Sequence, residues 1–583
     1  MMGTVPIVSG AAERHPRLPR PDGWSLAALA VAALVASPLL AVLALALNPS
    51  DDIWSHLVST VLPGYVGTTL ALAAGVGVGV LVIGIGTAWL VTLCSFPGRS
   101  LFSWALLLPL AMPTYLAAYA YTELLEYAGP VQGALRGLFG WSSKAEYWFP
   151  EIRSLGGAIT FMTLVLYPYV YLLSRAAFVE QSAGVLEVGR SLGRGPLRCF
   201  LTLALPLARP AIAVGLALAL METLNDFGTV DYFAVQTFTV GIFRVWFGMN
   251  NAPGAAQLAT LLLAFVLVLV WLERMGRQHQ RYHHASGRPQ HPSAFRLSGA
   301  ASLGALLACL LPVALGFVVP AGLLVSYTLA VWTREEPIRF LAAMSNSLAV
   351  SALAALACVG VGMLLAYARR LRPTVLVRAA GGVASVGYAV PGAVLAVGVM
   401  IPAARLDNAI DALLRQTLGV SSGLLLSGTL AALLFALTAR FLVLGFGTMD
   451  AGLARITPGM DDAARSLGST PGNVLRRVHL PLLRGSVLTA GLLVFVDAMK
   501  ELPMTLILRP FDFTTLATHV YEYASAERFR LAAPAALAIV AAGLVPVILL
   551  SRGIARARTG TSRNARPAAA AGEEMPWLGE AGS

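Results

Sequence analysis

Long apolar runs separated by short polar islands dominate this chain from end to end. Crossing a bilayer as a helix takes about 20 predominantly apolar residues. Twelve runs meet that length, near 24–47, 66–95, 101–125, 155–175, 207–227, 254–272, 297–328, 345–368, 376–402, 423–446, 485–507 and 532–551. Leu, Ala, Val and Gly fill their interiors, a mixture that membrane helices tolerate. The expected fold is therefore an all-α polytopic membrane protein, with six spans in 1–273 and six in 297–553. Between these halves, 274–296 is polar and rich in Arg, His, Gln, Gly and Pro, as a linker is. The segment 554–583 is rich in Ala, Gly and charge and reads as a disordered tail.

Composition agrees. Only 12% of the 583 residues are charged, about half the share in a soluble domain, and mean hydropathy is +0.74. The net charge of +12 suggests a nucleic-acid partner until the cations are placed. Arg14, Arg17 and Arg20 precede the first span, Arg274, Arg277, Arg281 and Arg288 follow the sixth, and Arg369, Arg370 and Arg372 follow the eighth. Arg552, Arg556, Arg558 and Arg563 follow the last. Twelve crossings put all of them on one side, which the positive-inside bias makes cytoplasmic, with both termini. Asp51, Asp52, Glu335 and Glu336 fall on the other side. Topology accounts for the charge without nucleic acid. The basic N-terminus with Trp24–Asn48 reads as an uncleaved anchor, since the run exceeds a signal-peptide core.

Cys94, Cys199, Cys309 and Cys358 are scattered, so neither a disulfide framework nor a cysteine metal site is expected. His279, His283, His284 and His291 invite a metal reading, but their linker composition favours a solvated segment.

The two halves repeat one another. Thr68-Thr69-Leu70 matches Asn346-Ser347-Leu348, and Pro113 matches Pro391, with offset 391 − 113 = 278. A polar island, Glu187-Val-Gly-Arg190-Ser191-Leu-Gly193 to Leu205-Pro206, matches Asp462-Ala-Ala-Arg465-Ser466-Leu-Gly468 to Leu480-Pro481, with offset 468 − 193 = 275. The register continues to Asp226 on Glu501 and Phe238-Thr239 on Phe513-Thr514. Six spans per half keep both copies in one orientation, as parallel repeats.

Both islands, within 182–206 and 457–481, fall between the fourth and fifth spans of a half, on the basic side. Each predicts a short surface helix broken at Gly193 or Gly468. Pro206 and Pro481 suit the first turn of the helix that follows, where a missing N–H costs little. This pattern resembles the EAA motif of ATP-binding cassette (ABC) importer permeases. The second copy departs from it only by Asp462 for Glu, while the first has Val188 and Gly189 in place of two alanines. The resemblance implies a type I ABC importer permease fold. It also implies ATPase coupling through Glu187, Arg190, Ser191, Gly193 and Pro206, and through Asp462, Arg465, Ser466, Gly468 and Pro481. The segments Glu222–Gly241 and Lys500–Thr518 resemble the fifth-span exit of ferric-iron importer permeases with two fused halves. That resemblance implies ferric iron as substrate. Permeases for thiamine, phosphonate, sulfate or polyamine are the alternatives within the family, and a gradient-driven secondary transporter is the alternative outside it.

Lys144 and Lys500 are the only lysines, and neither stands in a phosphate-cradling P-loop. The expectation is a chain that is no enzyme and binds no cofactor, with ATP and Mg2+ used by a separate cytoplasmic ATPase dimer. A separate extracytoplasmic binding protein is expected to deliver substrate to this bacterial inner-membrane component. Lipids surround the spans. The aromatics Trp141, Tyr147, Trp148 and Trp246 read as an interfacial belt or as part of a surface for that binding protein.

Glu222 with Asp226, and Asp497 with Glu501, stand four apart and are expected to share helix faces near the outer end of their spans. Acids at membrane depth line pathways or form ion pairs. A translocation path and a structural pair with Lys500 both remain open, and no metal site is assigned.

Overall fold

The computed structural model describes residues 22–48, 53–180, 191, 195–278, 295–331 and 337–563. Among the described residues ten helices are long and apolar enough to cross a membrane, and up to twelve if two bent pairs each count as one span. In chain order the span helices are α1 Gly23–Ala46, α2 Leu62–Leu93, α3 Thr114–Leu125, α4 Leu155–Glu180, α5 Leu205–Asn225 and α6 Ala252–Gln278. They continue as α7 Gly299–Val331, α8 Pro337–Leu371, α9 Gly392–Leu418, α10 Leu430–Leu453, α11 Arg484–Met499 and α12 Ala533–Arg563. The last helix thus runs into the stretch read from sequence as a tail.

Proline punctuates the third span of each half in the same way. A 3-10 turn at Leu108–Ala111 leads to Pro113, which opens α3, and a 3-10 turn at Gly387–Ala389 leads to Pro391, which opens α9. Pro113 and Pro391 share an extended backbone, with φ/ψ of −58°/142° and −56°/140°. Proline lacks the N–H an unbroken helix would need there. The expected run 101–125 is therefore two helices meeting at 90°.

Two matched three-helix groups form the core, α2 with α4 and α5, and α8 with α10 and α11. Within the second group the backbones touch at glycines. A Cβ on Gly445 would lie 2.3 Å from the Cys358 carbonyl oxygen, and one on Gly362 would lie 2.6 Å from the Phe446 nitrogen. Gly84, which matches Gly362, meets the Val170 Cβ at 2.7 Å and the Tyr167 carbonyl oxygen at 3.0 Å from a built Cβ. Small residues at such crossings let membrane helices pack closely.

The first span of each half crosses to the other half. Helix α1 packs on Val375–Ala384 and α9, while α7 packs on α3 and α4 and, within its own half, on α12. Cys94, Cys199, Cys309 and Cys358 are all buried in this packing.

The repeat register departs from the expected one beyond Asp226. The Phe238 N–H donates to Thr69 Oγ1 (3.4 Å), and the Leu516 N–H donates to Ser347 Oγ (2.7 Å), an equivalent bond 169 residues apart in both cases. Phe238 thus matches Leu516, with offset 516 − 238 = 278, and not Phe513. The second half carries three more residues in this outer turn. Ala234 and Asp512, in left-handed conformations at φ 55° and 57°, are the matched turn residues. The turns differ in what they show: Phe233 is 1% exposed, packed near Phe161, whereas Phe511 is 95% exposed. Phe511 rims a cavity of about 720 Å3 that Arg339, Arg509 and Glu522 also line.

Candidate functional site

Two places draw together the residues singled out from sequence, one at each end of α5 and α11. At the first, Glu187, Arg190 and Gly193 of the first island lie outside the described residues, and Ser191 is exposed. Pro206 stands in the first turn of α5, which continues the π-turn Phe200–Ala204. Pro481 differs. It sits in the three-residue helix Leu480–Leu482, ahead of a 78° bend between Pro471–Leu482 and α11.

The second island forms the helix Pro458–Ser466. Pro458 takes its first position, where the absent N–H needs no partner. Gly468, at φ +78°, turns the chain out of it. Its N–H donates to the Arg465 carbonyl (2.9 Å), and that of Ser469 donates to the Ala464 carbonyl (3.1 Å). Capping by a left-handed glycine is how many helices end. Asp462 pairs at the surface with Arg465 (3.3 Å), and the Ser466 hydroxyl donates to the Ala463 carbonyl (2.8 Å). Leu467 is 85% exposed and Met460 is exposed beside it.

The neighbour of Asp462 anchors this helix. Arg370 at the end of α8 donates through Nε to Asp461 Oδ2 (2.7 Å) and through Nη1 and Nη2 to the Leu453 and Ile456 carbonyls (2.5 and 3.0 Å). His479 Nε2 lies 2.6 Å from Asp461 Oδ1, and the Tyr367 ring stands edge-on to the imidazole at 5.4 Å. Burial pushes the Asp461 carboxyl up, but the hydrogen bonds from Arg370 and His479 outweigh it and hold the group below the usual carboxylate range. Sequence reasoning used Arg370 only to set the topology and passed over Asp461 and His479. Their only signal was an acid doubled beside the motif and a basic pair closing an apolar run.

At the other end, Glu222, Asp226, Asp497, Lys500 and Glu501 line one cavity of about 80 Å3 at the seam between the halves. The expected helix faces are not shared. Helix α5 ends at Asn225 and α11 at Met499, so Asp226 and Glu501 lie beyond the helices that carry Glu222 and Asp497. Each instead accepts from N–H groups in the first turn of the short helix that follows, Gly228–Tyr232 or Pro503–Leu508, where such groups have no partner within the helix. Asp226 accepts from the Thr229 N–H (2.8 Å), the Thr229 hydroxyl (2.9 Å), the Val230 N–H (3.3 Å) and the Thr114 hydroxyl. Glu501 accepts from the Met504 N–H (3.2 Å), the matched position since 504 − 229 = 275.

Lys500 forms an ion pair, one of the two readings left open, and Arg440 adds a pair that the sequence reading did not name. Lys500 binds Asp497 (2.8 Å), while Glu501 takes Arg440 of α10 (3.5 Å). Arg440, 3% exposed, also reaches Asn225 Oδ1 (2.9 Å), which accepts the Gly392 N–H at 2.7 Å. Tyr388 donates its hydroxyl to Glu222 (3.1 Å). Asn225, Tyr388 and Arg440 therefore join the halves, and sequence reasoning named none of them. Arg440 could have been found as a lone charge inside an apolar run.

Among the aromatics, Trp141 stacks on Tyr147 at 4.8 Å and Trp148 is exposed. Among the described residues no cluster of three or more His, Cys, Asp or Glu is arranged to hold a metal ion. The linker histidines lie outside those residues.

No family model matches the chain. Curated relatives do. The chain is 28% identical over 482 residues to the Fe(3+)-transport system permease protein FbpB 2 of Haemophilus influenzae, covering 80% of this chain and 87% of that protein. It is 28% identical over 205 residues to the molybdenum transport system permease protein ModB of Escherichia coli, covering 33% of this chain and 86% of ModB. A putative 2-aminoethylphosphonate transport system permease protein, PhnU of Salmonella choleraesuis, is 30% identical over 266 residues, covering 44% of this chain and 92% of PhnU. With its apolar helices and these relatives, the chain is a multi-pass membrane protein and belongs to the permease family of ABC transport systems.

Proposed function

We propose that this chain is the membrane subunit of an importer for ferric iron, driven by a separate ATPase pair and supplied by a separate extracytoplasmic binding protein. The observation that carries the substrate reading is the cavity at the seam. Four carboxylates, Glu222, Asp226, Asp497 and Glu501, face it with two cationic side chains, Arg440 and Lys500. A lining with more acid than base suits a hard cation, which prefers oxygen ligands, and disfavours the oxyanions named for other relatives. Similarity to the ferric-iron permease also extends over 80% of this chain, against 33% for the molybdenum permease.

Coupling falls to the loops 182–206 and 457–481. The exposed helix Pro458–Ser466, with Met460 on it and Leu467 at its C-cap, supports docking into a groove of an ATPase. Glu187, Arg190, Ser191 and Gly193 take the matching role in the first half by register. ATP and Mg2+ are used by the ATPase. In this reading the halves are 1–273 and 297–553, the basic ends and both termini are cytoplasmic, and the membrane is the bacterial inner membrane.

The test is uptake by the complete assembly in liposomes. Ferric iron supplied on the binding protein should enter only with ATP. Uptake of molybdate or sulfate in place of iron would overturn the substrate reading, and uptake driven by an ion gradient without ATP would overturn the coupling reading.

A further inference from the structure

The fifth spans of the two halves reach the cavity differently. In the first half Leu197–Asn225 passes from the loop to the cavity as one span. In the second, the matched path turns through 78° at Leu483, between Pro471–Leu482 and α11. A push along a continuous helix arrives at its far end. At a corner the same push swings the segment about the bend unless something braces it.

The brace is present in the half that has the bend. Arg370 at the end of α8 grips Asp461 of the exposed helix and the two carbonyls before it, at Leu453 and Ile456. His479, 0% exposed and at the end of the π-turn Leu475–His479, closes on the other Asp461 oxygen. The Tyr367 hydroxyl donates to the Pro471 carbonyl (2.7 Å), fixing the start of the bent segment to the same end of α8. Helix α8 packs along both α10, which carries Arg440, and α11, which carries Asp497. Charge-assisted bonds to one partly buried carboxylate are the stronger kind and fix orientation as well as distance.

The matched positions of the first half carry other residues in the sequence. With offset 370 − 92 = 278, Thr92 stands where Arg370 does, and with offset 275, Leu186 and Ala204 stand where Asp461 and His479 do. The registers are secure at two of these positions: α2 and α8 end at the matched Leu93 and Leu371, and the π-turns Phe200–Ala204 and Leu475–His479 coincide.

We infer that Arg370, Asp461 and His479 are positioning residues that join the exposed helix Pro458–Ser466 directly to α8, so that ATPase motion bypasses the bend at Leu483 and reaches the cavity through α8, α10 and α11. This rests on the coupling reading above. The two ATPase contacts are then mechanically different, one working through a continuous fifth span and the other through a braced eighth.

The experiment uses the full complex in liposomes and measures iron transported per ATP hydrolysed. Asp461→Asn, Arg370→Gln and His479→Gln should each lower that ratio several-fold in complexes of matched assembly and melting temperature. Asp461→Glu should restore part of the loss, and Thr92→Val in the first half should leave the ratio at the wild-type value. An unchanged ratio in Asp461→Asn and Arg370→Gln overturns the inference. Equal loss of transport and hydrolysis, in step with loss of assembled complex, also overturns it by reducing the cluster to a structural part. Failure of the wild-type complex to hydrolyse ATP in response to the binding protein would instead sink the coupling reading itself.

Discussion

The two halves share a path and an acid at each turn of it, yet they hold those acids by different chemistry. In the first half Asp226 is satisfied by hydroxyls and backbone N–H groups, and Glu222 by the Tyr388 hydroxyl reaching over from the second. In the second half Glu501 faces Arg440 and Asp497 faces Lys500. The matched positions in the first half are Val165 for Arg440 and Asn225 for Lys500, both on the 275 register and both lining the same cavity. Neutral donors can release a carboxylate cheaply, whereas a buried ion pair broken on one side leaves a charge stranded. The second half is accordingly the stiffer one around the cavity, and the first is the one free to adjust.

The largest expected effect breaks that contrast at its centre. Arg440→Ala strands Glu501 and removes the bridge to Asn225, and should cost about 3–5 kcal/mol. Val165→Ala at the matched position should cost only about 1–2 kcal/mol, as an ordinary trimmed apolar contact. Thermal unfolding of the purified complex compares the two, and equal losses would dissolve the contrast.

An intermediate effect tests the packing behind it. Gly445→Ala drives a methyl against the Cys358 carbonyl, which is backbone and cannot rotate away. A loss of about 2–3 kcal/mol is expected. Gly84→Ala meets the Val170 Cβ at 2.7 Å and the Tyr167 carbonyl oxygen at 3.0 Å, a looser approach than the 2.3 Å at Gly445, and should lose less, about 1–2 kcal/mol. The same melting experiment decides, and a larger loss at Gly84 would reverse the ranking.

The smallest effect concerns pH at the coupling end. The Asp461 carboxyl is held below its ordinary range when folded, with Arg370 and His479 facing it. A depressed folded value contributes stability that is complete above the unfolded pKa and is lost as pH falls through the folded one. Below about pH 4 the wild type should therefore lose melting temperature faster than Asp461→Asn. Parallel curves would show that Asp461 contributes nothing there. Asp22, bound to Arg372 and Ser25 and lowered to about 2, behaves in the same sense, so that α1 should loosen from the end of α8 between about pH 4 and 2.

Much of this architecture could be read from apolar run lengths, because a bilayer imposes length on every crossing. The duplicated island and the paired acids were legible for a similar reason: polar residues are conspicuous against an apolar ground. What escaped was set by three-dimensional closure. Asp462 drew attention through its motif position, yet Asp461 carries the contacts, since adjacent residues on a helix point about 100° apart. The bend at Leu483 has no local signal, as its proline, Pro481, matches one in a span that stays continuous. The three-residue difference in the outer turn was hidden because Phe513-Thr514 repeats Phe238-Thr239 at offset 275, whereas the true match at offset 278, Leu516-Ala517, does not resemble it.

The four buried cysteines have a practical meaning. A thiol reagent reaches only exposed, ionisable thiols, so the native protein is already close to silent toward maleimide probes. A single cysteine at Leu467, on the helix proposed to meet the ATPase, or at Phe511, on the far rim, would then report alone. Reporters at the two ends of one molecule could be followed through a turnover without first stripping the four native sulfurs and disturbing the packing they share.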